Sequence, residues 1–278
     1  MEEPTIFFMF AGRRGNLSVN LPLIRRILDD HPNVEFHLWN LARLSTDSDY
    51  IDTISGERIV PCKISSGRGA YRYLNRVWDH YTHSRFARYR FVKIDDDVVF
   101  LETARFGTFL DAIEVNPDVV VSANIVNTGD CTPLNPELWK GFTDLDIPLL
   151  DVHESNDYAT MAHEYFLKNW ADLLGQPVSM VPTEDWLSIN LIGMHWSVLC
   201  RVAARLGSRA PSEIAGRFWK PFSRVGDEGA VNMLPRAIMR GFTVSHLGFG
   251  PQNLTEQQEG DWRSRYAEVA QRYLSGQS

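Results

Sequence analysis

Three consecutive carboxylates, Asp95, Asp96 and Asp97, stand between apolar stretches in YRFVKIDDDVVFLE, residues 89–102. Neighbouring like charges repel and are costly to bury, so a triplet closing a buried strand calls for a counter-charge, and a cation held at the strand's carboxyl end supplies one. A solvated acidic turn is the other reading, because Asp is a common turn residue. The flanks weigh against it: Phe91-Val92 precede, Val98-Val99-Phe100 follow, and no Gly, Pro or Ser lies between. Two further groups could do chemistry. Asp227-Glu228 is an adjacent pair of acids in SRVGDEGAVNML, and His246 follows the strand-like residues 242–245. On structure alone, acids at a helix start complement its dipole, and a lone histidine is an ordinary structural residue.

The elements that must position these groups are legible in the chain. Residues 89–94 alternate apolar and basic side chains, rich in aromatic and β-branched types, as in a strand with one buried face. Residues 5–10 are a continuous apolar run between Pro4 and Gly12, a central strand covered on both faces. It ends in AGRRGN, where Gly12 and Gly15 permit a tight turn, Asn16 or Ser18 can cap a helix, and Leu17, Leu21, Ile24, Ile27 and Leu28 give that helix an apolar stripe. Open α/β sheets bind ligands at the strands' carboxyl ends, so Arg13 and Arg14 there could meet a phosphate or base; two solvated loop arginines are the plainer account.

His31-Pro32 stops the helix, and residues 34–41 and 58–64 read as two more strands. Glycines in SSGRGAYRYLN open a helix whose apolar face is Tyr71, Leu74, Val77, Trp78 and Tyr81 and whose polar face carries Arg68, Arg72, Asn75 and Arg76. After the acids, Phe106, Phe109, Leu110 and Ile113 mark a short helix, and a strand begins at Val119. The pattern loosens over 128–177, apart from a helical stretch at 158–174; such a segment is commonly a binding loop, and acceptor contacts belong there. Glu184-Asp185 is a cap or a site, and Gly193, Met194 and His195 form a loop before a helix at 197–206. Asp227-Glu228 opens a helix that ends at Gly241, then a strand leads to His246. Residues 255–274 form an amphipathic helix through Trp262, Tyr266, Val269, Ala270 and Tyr273 that packs on the rest.

With 278 residues, 44% of them hydrophobic, the chain can bury a substantial core. A net charge of -7 argues against a protein that wraps nucleic acid phosphates. Cys62, Cys131 and Cys200 lie far apart, without disulfide or zinc spacing, and fit a reducing cytosol. The apolar run at 6–11 is too short for a signal or membrane helix, and no spanning run follows.

KIDDDVVF resembles the Asp-x-Asp motif of GT-A glycosyltransferases, enzymes that transfer a sugar from a nucleotide diphosphate donor. The resemblance implies one α/β domain over 1–278, a mixed, mostly parallel central sheet with helices on both faces. Residues 1–127 would be the nucleotide-sugar-binding half, 128–254 the acceptor and catalytic half, and 255–278 the C-terminal amphipathic helix. It implies Mn²⁺ or Mg²⁺ as cofactor, held by Asp97 and His246, with Asp95 a further ligand or a ribose contact and Asp96 supporting. A hard cation on oxygen ligands stabilises the charge that gathers on a departing diphosphate. Arg13, Arg68, Arg72 and Asn75 would contact the nucleotide diphosphate, of which UDP is the commonest in the fold.

The order of an acidic pair opening a helix, a glycine, a strand and a late histidine is similar to the same family, in whose inverting members the acid is the general base. Asp227 and Glu228 stay equal candidates here, because the pair reads Asp-Glu rather than Glu-Asp, and the helix is long and contains Pro235. Inversion is the expectation, although retaining members share the other motifs. A missing membrane anchor points to a cytoplasmic enzyme of bacterial or viral type. The acceptor is open among a glycan, a protein side chain, a small molecule and a modified DNA base, with net acidity against the last.

Two rival readings exist. Asp95 to Val99 also fits the Asp-x-Asp-x-Thr/Val pattern of haloacid dehalogenase-like phosphohydrolases, and GDEGAVNML resembles their Gly-Asp-x-x-x-Asp motif. Val231 and Asn232 occupy the place of that motif's second acid, and several strands precede the triplet. A non-catalytic GT-A-like binding module is the other alternative; the intact triplet, acidic pair and histidine argue against it.

Overall fold

The apolar run near the amino terminus becomes β1 (Thr5–Ala11) in the computed structural model, which describes residues 3–64 and 74–277. Successive side chains of a strand point to opposite faces. Phe7 meets Phe36 and Phe106, each at 5.3 Å between ring centroids, while Phe8 meets Tyr81 at 5.0 Å and Trp78 at 5.6 Å. Both faces of β1 are therefore covered. Helix α1 (Arg14–Asp30) follows at once, and β2 (Val34–Asn40), α2 (Ser45–Thr53), β3 (Ile59–Cys62) and α3 (Leu74–Tyr81) continue the chain. No side chain caps α1: its N-cap is Arg13, not Asn16 or Ser18, and the Ser18 hydroxyl donates to the Gly15 carbonyl at 2.7 Å.

Next come β4 (Arg90–Asp95), β5 (Val98–Leu101), α4 (Phe106–Val115), β6 (Val120–Val126), α5 (Pro136–Thr143) and α6 (Asn156–Leu173). The chain closes with β7 (Ser179–Pro182), β8 (Leu191–His195), α7 (Trp196–Ala203), a small hairpin of β9 (Glu213–Ile214) and β10 (Arg217–Phe218), α8 (Asp227–Asn232), β11 (Arg236–His246) and α9 (Glu256–Leu274). The main sheet runs β3-β2-β1-β4-β8-β6-β11-β5, with β7 also on β11. Pairing is parallel through β3-β2-β1-β4 and between β6 and β11; β5, β7 and β8 pair antiparallel. The architecture is thus a mixed α/β sheet with helices on both faces, and one buried apolar cluster includes Ile6 and Ala270 alike. Among the described residues, no helix is long and apolar enough to cross a membrane.

Two further sequence expectations give way here. Gly193, Met194 and His195 are not a loop but the heart of β8, where α4 packs directly on the missing side chain: a β-carbon at 193 would lie 2.2 Å from Ile113 Cδ1 and 2.9 Å from Phe109 Cε1. Overpacking a rigid core typically costs about 1–3 kcal/mol, so Gly193→Ala is expected to lower stability by that amount, read as a lower urea midpoint with an unchanged m-value. The helix opened by Asp227-Glu228 is also short. It ends at Asn232, and residues 236–241, expected as helix, belong to β11. Gly241 lies within that strand at φ +93, beside the carbonyls of Gln176 and Pro177, where the register against β6 shifts.

The tail forms as the sequence implies. Thr255 and Gln258 make a reciprocal capping box, Trp262, Tyr266, Val269 and Ala270 are buried, and Tyr273 packs on Phe100 at 5.3 Å.

Candidate active site

Register decides which residues meet. Phe10 of β1 stands opposite Asp95 of β4, so the segments leaving those two parallel strands, Gly12-Arg13 and Asp96-Asp97, emerge side by side. The Gly12 N–H donates to Asp96 Oδ2 at 2.7 Å, and Arg13 donates to Asp96 Oδ1 through Nε at 2.9 Å and Nη2 at 2.6 Å. The same Nη2 also donates to Asp97 Oδ2. Buried Asn20, one face of α1 away, donates to the carbonyls of Asp96 and Val98 at 3.2 Å each, which fixes the turn.

A second register brings the distant histidine. β11 runs antiparallel to β5 with Ser245 opposite Phe100 and, after a shift, His246 opposite Val98. The Leu247 N–H then donates to the Asp97 carbonyl at 2.8 Å, and His246 Nε2 stands 3.2 Å from Asp97 Oδ1. A buried polar chain holds this strand end. His163 Nε2 faces the Leu247 carbonyl at 2.6 Å and must donate to it; burial pushes His163 down to about 3, so the ring is neutral and its Nδ1 accepts from the Tyr266 hydroxyl at 2.8 Å. The Ser245 hydroxyl completes the chain at 2.6 Å from the Tyr266 oxygen. Asn127 supports the same turn by donating to the His246 and Leu247 carbonyls at 3.3 and 3.4 Å.

Charge within the triplet is unequal. Lys93, 1% exposed, donates to Asp95 Oδ1 at 2.6 Å and to the Ile189 carbonyl at 2.8 Å, and Asn190 donates to Asp95 Oδ2 at 3.4 Å. Burial nevertheless pushes the Asp95 carboxyl up to about 6, with Lys93 opposing and Asp97 adding to the rise. Burial also raises Asp96, although Arg13 and the Gly12 N–H oppose it. At Asp97 the balance reverses: burial is outweighed by His246 and Arg13, which hold this carboxyl well below the usual range.

The second pair of acids lies at the start of α8. The Asn232 side chain ties this helix to Leu187, accepting from its N–H at 2.7 Å and donating to its carbonyl at 2.8 Å. Glu228 Oε1 accepts from Trp186 Nε1 at 3.1 Å, and the Arg217 guanidinium lies 4.1 Å over the Trp186 ring. Burial pushes Glu228 up to about 7, against the pull of Arg217 and Trp186 and with Asp227 adding to the rise. Asp227 Oδ1 accepts from the Glu228 N–H at 3.0 Å.

Arg13, Asp95, Asp96, Asp97, Asp227, Glu228 and His246 all line one cleft of about 680 Å³. Asn75 does not line it; its amide faces Gly207 instead. Arg68 and Arg72 lie outside the described residues. Lys93, Asn190 and Phe249 line the cleft without having been singled out from the sequence, and Lys93 alone left a signal there, as a basic residue in the run before the acids.

The fit of a divalent ion can be tested on the atoms present. Asp97 Oδ1 is buried and makes no hydrogen bond, and Nε2 is the His246 nitrogen that faces it. The 3.2 Å between Asp97 Oδ1 and His246 Nε2 is close to the spacing of adjacent ligands, about 3 Å, around an octahedral ion with bonds of about 2.1 Å. These two residues fit as a ligand pair. Asp95, expected as a further ligand, is engaged by Lys93, and among the described residues no group of three such side chains is spaced to enclose an ion. A cation that retains waters and substrate phosphates needs no more than one or two protein carboxylates.

No protein-family model and no curated protein sequence matches the chain. Among solved structures it is similar to a galactosyltransferase, LgtC, determined in complex with donor and acceptor sugar analogues, over 96% of this chain and 95% of that one, at 8% sequence identity and a TM-score of 0.46. A likeness at that level carries no weight for chemistry, which is read from the side chains of the cleft.

Proposed function

We propose that the chain is a single GT-A-like domain whose cleft binds a nucleotide diphosphate sugar with Mn²⁺ or Mg²⁺ and transfers the sugar to an acceptor hydroxyl with inversion. The observation that carries this reading is one juxtaposition: the Asp97–His246 pair and the proton-accepting Glu228 open onto the same cleft, with Arg13 between the acids and solvent.

In this reading Asp97 and His246 hold the ion, which when bound neutralises charge on the departing diphosphate. Arg13, whose side chain is 54% exposed, reaches the phosphates from the β1 end, and Asp96 orients it through the bonds described above. Arg68 and Arg72 are further candidates for the diphosphate. Asp95, neutralised by Lys93, faces the ribose. Glu228 rather than Asp227 is assigned as general base, because burial gives it a proton affinity matched to neutral pH. The acceptor O–H proton passes to the Glu228 carboxylate, the freed oxygen bonds to the anomeric carbon from the face opposite the diphosphate, and the bond from that carbon to the diphosphate oxygen breaks. A nucleoside diphosphate leaves, with UDP as the proposed nucleotide.

Calorimetry with UDP, GDP and CDP sugars in the presence of Mn²⁺ is the test. One donor is expected to bind with the metal and to lose that binding in excess EDTA. Undiminished binding in EDTA would remove the metal from the reading, and no binding of any nucleotide sugar would remove sugar transfer itself.

A further inference from the structure

Beside the cleft lies a second cavity, of about 170 Å³, roughly the liquid volume of five or six waters and the size of one sugar ring. Phe249 lines both spaces: its ring centroid is 4.4 Å from that of His246 and 6.2 Å from that of His153, which lines the smaller cavity. Trp186 joins them a second time, since it walls the smaller cavity while its indole N–H donates to Glu228 in the larger. The Trp186 indole is thus the wall that separates the smaller cavity from Glu228.

The lining has unmet valences. Asp130 Oδ1 and Arg217 Nε are buried and have no hydrogen-bond partner, although Arg217 Nη2 is 3.1 Å from His153 Nδ1. Two residues of one lining thus carry an unpaired acceptor and an unpaired donor, which together complement a hydroxyl group, since that group both donates and accepts. Leu149, Leu150, Val152 and Phe249 supply apolar wall, which suits the C–H faces of a ring. Asp130, Glu184 and Asp185 outnumber Arg217 in the lining, so an anionic ligand is disfavoured.

We infer that this cavity is the acceptor subsite and takes one neutral pyranose ring, with Asp130 and Arg217 bonded to its hydroxyls. The inference rests on the sugar-transfer reading for its role, though not for its ligand chemistry. It is tested by saturation-transfer NMR on the full chain with Mn²⁺ and UDP, using methyl glucopyranosides and galactopyranosides, galacturonate, and N-acetylserine amide as probes. At least one neutral methyl pyranoside is expected to bind and galacturonate is not. Asp130→Asn and Arg217→Lys should each weaken that pyranoside at least tenfold while Mn²⁺·UDP binding, followed by calorimetry, stays within twofold. The lysine variant keeps the cation and loses the Nε donor, so a parallel melting curve separates lost contact from lost fold.

The subsite is refuted if no neutral pyranoside binds, if both variants bind it as the parent does, or if the uronate or the serine amide is preferred. Pyranoside binding without any nucleotide binding would leave a carbohydrate site standing and overturn sugar transfer. Nucleotide binding without pyranoside binding would do the reverse.

Discussion

Glu228→Gln is expected to lower turnover by about 10²–10⁴-fold, the usual contribution of a positioned acid or base, while donor binding is kept. The amide can still accept from Trp186 Nε1 but cannot take the acceptor's proton. Only the carboxylate form acts as a base, so with the group pushed up to about 7 the parent enzyme should lose about tenfold in rate per pH unit below 7 and level off above it. Stability moves the other way. The unfolded chain releases this proton near the ordinary value of 4.5 and the folded chain near 7, so the folded state binds more protons in between and stability falls as pH rises through that window. Above pH 7 the glutamine variant should therefore melt higher than the parent, a gain in stability at the expense of activity. A variant that keeps more than a tenth of parental turnover would move the base elsewhere, and Asp227→Asn would then be expected to show the loss.

Asp97→Asn is expected to weaken metal-dependent donor binding by about 100-fold or more, because it removes the charged member of the ligand pair. This carboxyl is also held low by His246 and Arg13, so it stabilises the fold above the ordinary value of 3.8 and loses that contribution as pH falls through its lower folded value. The asparagine substitution is therefore expected to lower stability as well as binding. His246→Asn removes the other ligand and leaves the ion pair of Asp97 with Arg13 intact. If calorimetry shows both variants insensitive to Mn²⁺, the shared loss belongs to the ion, and the larger melting loss expected for Asp97→Asn, which gives up its contacts to both His246 and Arg13, belongs to the ion pairs. Full Mn²⁺-dependent binding in either variant would show that this residue is no ligand.

Much of the site was legible because it sits at the ends of strongly patterned elements. The apolar run at 5–10 and the acidic triplet each mark a strand's carboxyl end, and parallel pairing of β1 with β4 was enough to bring Arg13 to Asp96. The pair Asp227-Glu228 opens a helix as expected, and His246 closes a strand. Lys93 was not singled out because alternation does not distinguish a solvated lysine from one buried on a carboxylate and a carbonyl. Residues 236–241 were misread because a short apolar segment suits helix and strand alike, and pairing with β6 and β7 decides between them. Asp130 lies in the 128–177 segment expected to carry acceptor contacts, although no residue there was singled out, and Trp186 and Arg217 left no trace. They come from separate segments whose meeting depends on loop paths that no local period encodes.

The pairing of β5 with β11 also sets a timetable. A chain made from its amino end delivers Arg13 and the three acids early, and His246 emerges from the ribosome only after the whole of β6 to β11 has been synthesised. During that interval Arg13 can already neutralise Asp96 and Asp97, which keeps an acidic strand end from standing bare in a nascent chain. Translation halted before residue 246 would accordingly release a polypeptide with its acids matched and without the imidazole of the proposed ligand pair.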